Sequence, residues 1–375
     1  MHVLIVTNIY PNPTNPTEGI FIYHRVNALL ATGIKVTVIK LNTMINRQFK
    51  YRFLKRYSMA SIGYEQEMIV QPLNILKIPF LTEFQVGRYL LSLVRLLGID
   101  LVHYHFLWDA LGSQHLYQAK IPYLLTCHGC DINGLFRKSN RFQAACIRRL
   151  KGASARIFVS KALMATALDR MPLTGINEVC YNGIDSSVFN LNSRSVSRPL
   201  IGFVGNLLPV KGADLLPEII RMVKASRHDA EFVVLGQGPL LDDLKIQFQN
   251  NGDFDDVKLL GQVSMVEVAR WMSQMQVMML PSRQEGFPCV IPEAQACGVT
   301  VVASDVGGIP EAMAGEGVLV SPGADFTQRF ADSVIQALDA SIPTDRLVAR
   351  TRLLEWPVLI KKEIFVYEQV LGRRF

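Results

Sequence analysis

Short runs of consecutive apolar residues alternate along the chain with longer segments of helical periodicity. Such runs are typical of strands that are buried on both faces of a parallel sheet. In the first half of the sequence they predict strands at Val3–Thr7, Val36–Ile39, Leu101–His105, Tyr123–Cys127 and Arg156–Ser160. In the second half they predict strands at Ile201–Val204, Glu231–Leu235, Val257–Leu260, Val277–Leu280 and Val299–Ala303. The order of strands and helices predicts α/β domains with parallel sheets.

The two halves are separated by a stretch that has no hydrophobic periodicity. Residues 186–199, SSVFNLNSRSVSRP, are rich in Ser and also contain Arg and Pro, which is linker composition. A chain of 375 residues is too long for one ordinary core. We therefore expect a first domain over residues 1–185 and a second over 200–355. Residues 356–375 have apolar positions at helical spacing and predict a last helix.

The segment from Val277 to Met313 carries the pattern that points most directly to a binding site. Its first strand is followed by a Pro-rich loop with Glu285, and then by a helix that Pro292 can open and Gly298 can end. This order places Glu293 in the first helical turn. A helix N-terminus at the carboxyl end of parallel strands favours an anion such as phosphate.

Glu285 and Glu293 would repel a phosphate, so they cannot be there to hold one. They are better suited to accept hydrogen bonds from sugar or ribose hydroxyl groups beside it. The pattern therefore indicates a sugar nucleotide as the ligand class. The alternative is that Glu293 only compensates the helix dipole while Glu285 lies in solvent.

Three short motifs in this segment resemble the signature of the retaining nucleotide-sugar glycosyltransferases of family 4. They are Glu285-Gly286-Phe287-Pro288, Glu293-Ala294 and Gly307-Gly308-Ile309-Pro310-Glu311, and seven residues separate the two glutamates. The resemblance implies the GT-B fold, in which two Rossmann-like parallel-sheet domains face a cleft. It also implies that the last helix returns to pack on the first domain. The expected donor-binding residues are Gly19, Gly205, Asn206, Lys211, Arg283, Glu285, Gly286, Phe287, Val290 and Glu293.

His128 is the expected catalytic residue of the first domain. It follows the strand Tyr123–Cys127, at the edge where ligands bind in open α/β sheets. The resemblance implies that His128 lines the cleft next to the donor sugar. Asp131 would either cap the next helix or orient His128. Gly19 stands where the family usually has a Gly-rich loop near the donor phosphate.

Lys211, between Gly205 and Gly212, is expected to offset the charge that develops on the pyrophosphate, with Lys211 and Glu285 counted among the catalytic residues. An exposed Lys without function is the alternative. Many family members have Arg where this chain has Asn206, so the phosphate clamp lacks one cation. We expect Arg283 to supply it, although Arg283 could equally be an exposed residue at a strand end.

Composition and charge limit the expected location and ligands of the protein. Hydrophobic residues make up 49% of the chain and the mean hydropathy is +0.21, yet there is no uncharged apolar stretch of about 18 residues. The first residues read as a strand and not as a signal peptide, so we expect a cytoplasmic protein. The net charge of +7 suits phosphorylated ligands and anionic lipid. No motif for nucleic-acid binding accompanies it.

Residues 44–57, MINRQFKYRFLKRY, interleave basic and aromatic side chains. This composition predicts peripheral contact with anionic membrane or a grip on a lipid-linked phosphate. The alternative is a solvated basic face with a few core aromatics.

Other patterns are weaker. Cys127 and Cys130 could form a redox or zinc motif, but they lack a second pair and fit a strand-to-helix turn better. His103 and His105 alternate on a strand and are more typical of packing than of metal ligation. Gly236-Gln237-Gly238 is an incomplete dinucleotide fingerprint, which gives little support to a dehydrogenase.

The predicted activity is a hexosyltransferase reaction that moves sugar from a UDP-sugar or GDP-sugar to a hydroxyl acceptor with retention. By the family's usual account, the leaving phosphate assists attack on the same face. The acceptor is expected to be lipid-linked or a growing lipopolysaccharide, capsule or exopolysaccharide at the inner face of the plasma membrane. No cofactor or metal is expected. A sugar-nucleotide epimerase and an inactive binding protein of the same fold remain alternatives.

Overall fold

The computed structural model describes residues 1–43, 55–62, 69–75, 81–191, 197–250, 256–340 and 342–374. The chain divides into two compact units. The first unit combines Met1–Gly183 with Trp356–Phe375, and the second consists of Ile184–Glu355. The last segment of the chain therefore belongs to the first unit.

The first unit is built on a sheet of eight strands within the described residues, in the order β3-β4-β2-β1-β5-β6-β7-β8. Its strands are β1 (His2–Thr7), β2 (Lys35–Thr43), β3 (Tyr57–Ser58), β4 (Ile69–Ile75), β5 (Leu101–His105), β6 (Tyr123–Cys127), β7 (Ala155–Phe158) and β8 (Ile176–Val179). All neighbours pair in parallel except β3 and β4, which are antiparallel. Its α-helices that precede the second unit in sequence are α1 (Ile20–Ala31), α2 (Leu81–Leu97), α3 (Ser113–Gln118), α4 (Cys130–Asn133), α5 (Asn140–Gly152) and α6 (Lys161–Arg170).

The second unit contains a parallel sheet of six strands in its described part, in the order β11-β10-β9-β12-β13-β14. These strands are β9 (Leu200–Val204), β10 (Glu231–Leu235), β11 (Val257–Gly261), β12 (Val277–Leu280), β13 (Thr300–Ser304) and β14 (Val318–Val320). The helices are α7 (Leu216–Ser226), α8 (Leu241–Asn250), α9 (Met265–Gln274), α10 (Val290–Ala296), α11 (Ile309–Met313), α12 (Phe326–Asp339) and α13 (Thr344–Thr351). The predicted α/β class with parallel sheets is confirmed.

The central strands are buried along their whole length, which explains why they appear in the sequence as predominantly apolar runs. Tyr123–Cys127 and Val277–Leu280 have the predicted bounds. The strand predicted at Arg156–Ser160 ends earlier, at Phe158. Ser160 instead caps α6, because its hydroxyl accepts a hydrogen bond from the N–H of Leu163 at 3.1 Å.

Only the end of the basic and aromatic segment can be described, because residues 44–54 lie outside the described ranges. Lys55 and Arg56 are exposed. Tyr57 is buried, and its hydroxyl donates a hydrogen bond to the carbonyl oxygen of Pro11 at 2.7 Å. Tyr57 is therefore not available for the predicted membrane surface. No helix in the described part of the chain is long and apolar enough to cross a membrane.

The last helix, α14 (Trp356–Leu371), completes the core of the first unit, to which it contributes Ile360, Val366 and Tyr367. Its Glu363 forms a buried ion pair with Arg25 of α1. Arg25 also donates to the Asn182 side chain at 3.0 Å. Removing one partner of a buried pair leaves an uncompensated charge, so this contact ties α14 to α1.

We expect Glu363→Gln to destabilise the protein by about 3–5 kcal/mol, because Arg25 would keep its charge in a buried site without a counterion. Urea unfolding followed by tryptophan fluorescence measures the change. Glu178→Gln is the matched control, since Glu178 pairs with Lys362 of the same helix but both side chains are substantially exposed. The control should change stability by less than about 1 kcal/mol. Equal effects of the two substitutions would show that Arg25 does not depend on Glu363.

Candidate active site

Several of the predicted site residues lie where β9, β12 and β13 end in the second unit. Strand β9 pairs with both β10 and β12, and β12 pairs with β13, so their carboxyl ends share one edge. The loop after β9 carries Lys211, the loop after β12 carries Glu285, and the loop after β13 carries Gly307. Parallel pairing therefore brings together residues that are far apart in the sequence.

Lys211 and Glu285 form a direct ion pair. The Lys211 Nζ lies 2.7 Å from each carboxylate oxygen of Glu285, and the Ser282 hydroxyl donates to Glu285 Oε1 at 2.8 Å. The Glu285 side chain is 6% exposed and that of Lys211 is 27% exposed. The roles predicted for them, pyrophosphate for Lys211 and sugar for Glu285, are independent of each other. In the structure each charge is already balanced by the other, and the Lys ammonium is the more accessible of the two.

The glycines after β13 allow the chain to lie against Glu285. Gly307 has a φ of +54°, and a Cβ on it would approach the Glu285 carbonyl oxygen to 2.2 Å. The N–H of Gly308 donates to the same oxygen at 3.3 Å. Gly307 and Gly308, which belong to the third motif, thus make their close contact with the backbone of Glu285, whose position they fix.

Gly205 differs, because the surrounding protein does not require it to be glycine. A Cβ at this position would meet only the Phe203 ring, at an ordinary 3.6 Å. Its carbonyl oxygen, however, would lie 1.9 Å from a Cβ on Gly236. The loops after β9 and β10 are thus packed backbone to backbone, with space left beside Gly205. The adjacent Asn206 is exposed.

Arg283 is paired within the second unit, and its predicted contact with phosphate stays a prediction. Its guanidinium forms two hydrogen bonds with the Asp214 carboxylate, at 2.7 and 2.8 Å, and a third with the carbonyl oxygen of Pro209. The backbone N–H of Arg283 also donates to the Val210 carbonyl oxygen at 2.8 Å. Arg283 therefore fastens the segment that carries Lys211, and its own charge is neutralised by Asp214.

Glu293 lies in the first turn of α10, as predicted from Pro292. It is half-buried, and burial raises the pKa of its carboxyl to about 7. A raised pKa means that the folded state holds the proton more tightly than the unfolded chain does. Stability from this group is therefore greatest below about pH 4.5 and declines as the pH rises towards 7. Of the other expected contacts, Gly286 and Phe287 are buried, and Val290 is half-buried at the start of α10.

His128 lies at the carboxyl edge of the sheet in the first unit. Its Nε2 is 3.0 Å from Nδ1 of His105, and its ring is 4.5 Å from that of Phe106 and 5.0 Å from that of Phe21, centroid to centroid. Burial lowers the pKa of His128 well below its ordinary value, with the positive charge of Arg25 acting in the same direction. The imidazole is therefore neutral at physiological pH.

Asp131 fixes the loop of His128 through the backbone. Its Oδ1 accepts hydrogen bonds at 3.0 Å from the N–H groups of both His128 and Gly129, and its Oδ2 accepts from the N–H of Leu107 at 3.0 Å. Of the two predicted roles, Asp131 orients His128, but it acts on the main chain and not on the imidazole.

Gly19 begins the first helix with a φ of +64°. A Cβ there would approach the Ile9 carbonyl oxygen to 2.6 Å, so packing of the loop after β1 already requires glycine. A contact between Gly19 and donor phosphate stays a prediction.

The partners of the candidate residues were not predicted from the sequence. Ser282 and Asp214 were not singled out, and His105 was interpreted as a packing residue. Ser282 and His105 lie at or next to strand ends, a position that many other polar residues share, and Asp214 lies in a turn just before α7. Among the described residues, no group of three or more His, Cys, Asp or Glu side chains is placed to hold a metal ion.

The chain has two α/β units that are built on largely parallel sheets, and the second unit carries a Lys–Glu pair beside glycine loops. These features correspond to the GT-B class of enzyme that the motifs predict. A model of the family described as Glycosyltransferase Family 4 matches residues 19–188, and one described as Glycosyl transferases group 1 matches residues 198–340. The chain belongs to this family of glycosyltransferases. The predicted enzyme class is confirmed.

Relatives and solved structures agree with this assignment. The chain is 29% identical over 335 residues to the putative teichuronic acid biosynthesis glycosyltransferase TuaC of Bacillus subtilis, covering 82% of each chain. It is 29% identical over 243 residues to the uncharacterized glycosyltransferase MJ1178 of Methanocaldococcus jannaschii, covering 62% of this chain and 66% of that protein, just under two thirds of it. The crystal structure of Anabaena Alr3699/HepE in complex with UDP superimposes with a TM-score of 0.77 at 16% identity, covering 98% of this chain and 100% of that one. This likeness confirms the predicted GT-B fold.

The pairing of Arg283 with Asp214 predicts that the two residues act as one unit. Arg283→Ala and Asp214→Ala should each loosen the segment that holds Lys211 and weaken binding of UDP or GDP by about two- to five-fold, as expected for a partly exposed pair. The double variant should match either single variant, because both changes break the same contact. Isothermal titration calorimetry measures the affinities.

If Arg283 contacts phosphate instead, the two single variants will diverge. Arg283→Ala would then weaken nucleotide binding, while Asp214→Ala would release the guanidinium and leave binding unchanged or tighter. Opposite effects of the two substitutions would thus restore the original expectation for Arg283.

Proposed function

We propose that the chain transfers a hexosyl group from a UDP-sugar or GDP-sugar to a hydroxyl group of a lipid-linked or growing polysaccharide acceptor. The observation that carries this proposal is the Lys211–Glu285 pair at the carboxyl edge of the second unit. It combines a cation for phosphate and a carboxylate for sugar hydroxyls within one contact. The names of relatives support the substrate class: TuaC is named for teichuronic acid biosynthesis, and the HepE crystal holds UDP.

Lys211 is the residue we assign to the leaving diphosphate. An ammonium group has three N–H donors, and its two bonds to Glu285 leave one for a ligand oxygen. Asn206 can add a neutral hydrogen bond from its exposed position, whereas Arg283 is engaged with Asp214. In this proposal Lys211 carries the charge compensation and no metal ion is required.

Glu285 is the residue we assign to the donor sugar. Its carboxylate is fixed by Lys211, Ser282 and the Gly307 loop, so it would position sugar hydroxyl groups with little rearrangement. Glu293, half-buried on α10, is assigned to the ribose hydroxyls. We further propose retention at the anomeric carbon, with the leaving phosphate assisting attack on the same face.

The donor assignment predicts different defects for the two members of the pair. Lys211→Ala should weaken binding of both UDP-glucose and UDP by about 10- to 150-fold, which corresponds to a charged hydrogen bond of about 1.5–3 kcal/mol. Glu285→Gln should weaken the sugar nucleotide and lower turnover but leave UDP binding nearly unchanged. Lys258→Ala, at an exposed site, is the matched control. GDP and GDP-mannose are tested in parallel.

A thermal-shift panel gives the first readout, because a donor at 100 times its dissociation constant stabilises by about 2.7 kcal/mol. The anomeric configuration of the product, determined by NMR, tests retention. Donor binding without transfer or hydrolysis would indicate an inactive binding protein. Interconversion of free sugar nucleotides without acceptor would indicate an epimerase. Failure to bind any nucleotide sugar would refute the proposal.

We also propose that the basic segment 44–57 holds the protein at the inner face of the plasma membrane. The exposed Lys55 and Arg56 support this placement, while Tyr57 does not contribute because it is buried. Each basic residue near an anionic surface contributes about 1 kcal/mol to attachment.

The membrane proposal predicts salt-sensitive binding to phosphatidylglycerol vesicles. A four-residue variant tests it, in which Gln replaces the basic residues Lys50, Arg52, Lys55 and Arg56. The control variant has the same net charge and replaces four exposed basic residues of the second unit, Lys245, Lys258, Arg270 and Arg346. Vesicle sedimentation should show loss of binding only in the first variant. Equal retention by the two variants would contradict the assignment to this segment.

A further inference from the structure

Positive charge is concentrated in the first unit. Of the 39 Lys and Arg residues of the chain, the first unit holds 25, against 11 of the 32 Asp and Glu residues. The second unit holds the other 14 and 21. The formal net charges are therefore +14 for the first unit and −7 for the second, a difference that the net charge of +7 conceals. A charge of this size attracts anionic partners to the first unit.

Helix α5 and the turn before it carry basic residues that the protein does not neutralise. Residues 132–168 contain no Asp or Glu. None of the exposed basic side chains in this part of the first unit forms an ion pair with another described residue, and they are Arg137, Lys138, Arg141, Arg148 and Lys151. We call these five residues the α5 basic surface. Arg149 of the same helix, by contrast, is buried and pairs with Glu83 at 2.9 Å.

The α5 basic surface extends from the carboxyl edge of the sheet towards its amino edge. At the beginning of α5, the ring of Phe142 lies 6.4 Å from that of Trp108, which follows β5. At the end of α5, the carbonyl oxygen of Arg149 accepts a hydrogen bond at 2.7 Å from the hydroxyl of Tyr123, the first residue of β6. A helix of 13 residues is about 20 Å long. The helix therefore begins at the edge where His128 lies and ends at the opposite edge.

A pocket of about 690 Å³ continues this surface at the amino edge. Its charged side chains are Lys120, Lys151 and Arg156, and none of the described residues that line it is Asp or Glu. Arg156 is only 2% exposed, and its guanidinium donates to uncharged oxygens, which are the Asn177 side chain and four backbone carbonyl groups. A buried charge is costly unless an opposite charge accompanies it. An anion bound in this pocket would supply that charge.

The side chains of α5 favour an extended polyanion over a membrane surface. A helix that lies in a membrane interface turns large apolar side chains towards the lipid. None of the large apolar residues that are exposed in the described part of the chain lies on α5. Between Arg141 and Arg148 the exposed residue is Ala144. A line of positive charges along one helix instead suits a polymer with negative charges at intervals along its length.

We propose that the α5 basic surface binds an anionic polysaccharide whose units carry carboxylate or phosphate groups. One part of the polymer lies at the carboxyl edge of the first sheet, and the rest follows α5 to the pocket at Arg156. That this polymer is the acceptor of the transferred sugar rests on the proposed function. Its binding along α5 does not.

The experiment measures binding of polygalacturonate and of poly(glycerol phosphate) to the full chain by isothermal titration calorimetry. The test variant replaces Arg141, Arg148 and Lys151 together by Gln, which removes three charges and keeps a good helix former. The control variant removes the same charge from exposed sites elsewhere in the first unit, with Gln in place of Lys35, Lys361 and Arg374. Thermal melting of both variants should match the wild type, because all six side chains are exposed.

The test variant should bind the polyanion roughly 3- to 150-fold more weakly, since each exposed ion pair contributes about 1.4- to five-fold in affinity. The control variant should bind as the wild type does, and neutral dextran should not bind. The polymer that binds identifies the anionic group. Equal weakening in the two variants, or equal binding of dextran, would overturn the proposal.

Phosphatidylglycerol vesicles and duplex DNA are tested in parallel. If the test variant loses binding to vesicles or DNA but keeps its binding to both polymers, the surface serves a membrane or nucleic acid and the proposal is wrong. These measurements need no sugar donor. A chain that transfers sugar but binds neither polymer would refute this proposal alone, whereas a chain that binds a polymer along α5 and transfers nothing would refute only the proposed function.

Discussion

Lys211 and Glu285 meet because parallel strands all end at one edge of their sheet. The two residues are 74 positions apart, on loops that follow β9 and β12, and these strands pair through Ile201 and Val277. Each return from one parallel strand to the next needs a helical crossover, so successive loops fall on the same side. The Gly307 loop after β13 closes on Glu285 for the same reason. The positions of the site residues therefore depend first on the register of the sheet and only second on the conformation of each loop.

The buried strands were predicted well because burial on both faces of a sheet is visible in the sequence as a run of mostly apolar residues. A strand covered on both faces is mostly apolar, as in Val277–Leu280, and a polar residue within it, such as Thr126 of Tyr123–Cys127, has a hydrogen-bond partner. The short strands Tyr57–Ser58 and Val318–Val320 were not predicted, since two or three residues at or near a sheet edge leave no such trace. The residue types of the site were predicted for a different reason, because the motif around Glu285 resembles the signature of a known family.

Side-chain pairing could not be predicted, because it depends on the distance between loops that are remote in sequence. Arg283 and Asp214 are 69 positions apart, and nothing local distinguishes a paired Arg from a free one. The same limit applied to His105, whose alternation with His103 indicated packing. Packing was correct for His103, which contacts Thr126 and Tyr367, but His105 also reaches His128. The raised pKa of Glu293 likewise arises from tertiary burial, which a first-turn position does not reveal.

The Arg25–Glu363 pair has a consequence for how the chain matures during synthesis. Ile184–Glu355 form a contiguous unit, so this part can fold as soon as its own residues have left the ribosome. The first unit cannot complete its fold at that stage, because its core includes Ile360, Val366 and Tyr367 of α14. The carboxylate that pairs with Arg25 lies on the same helix. Met1–Gly183 is thus translated before the second unit but completed only after it. Until then, the first unit lacks part of its core and Arg25 lacks its carboxylate partner, a state in which exposed apolar surface favours aggregation.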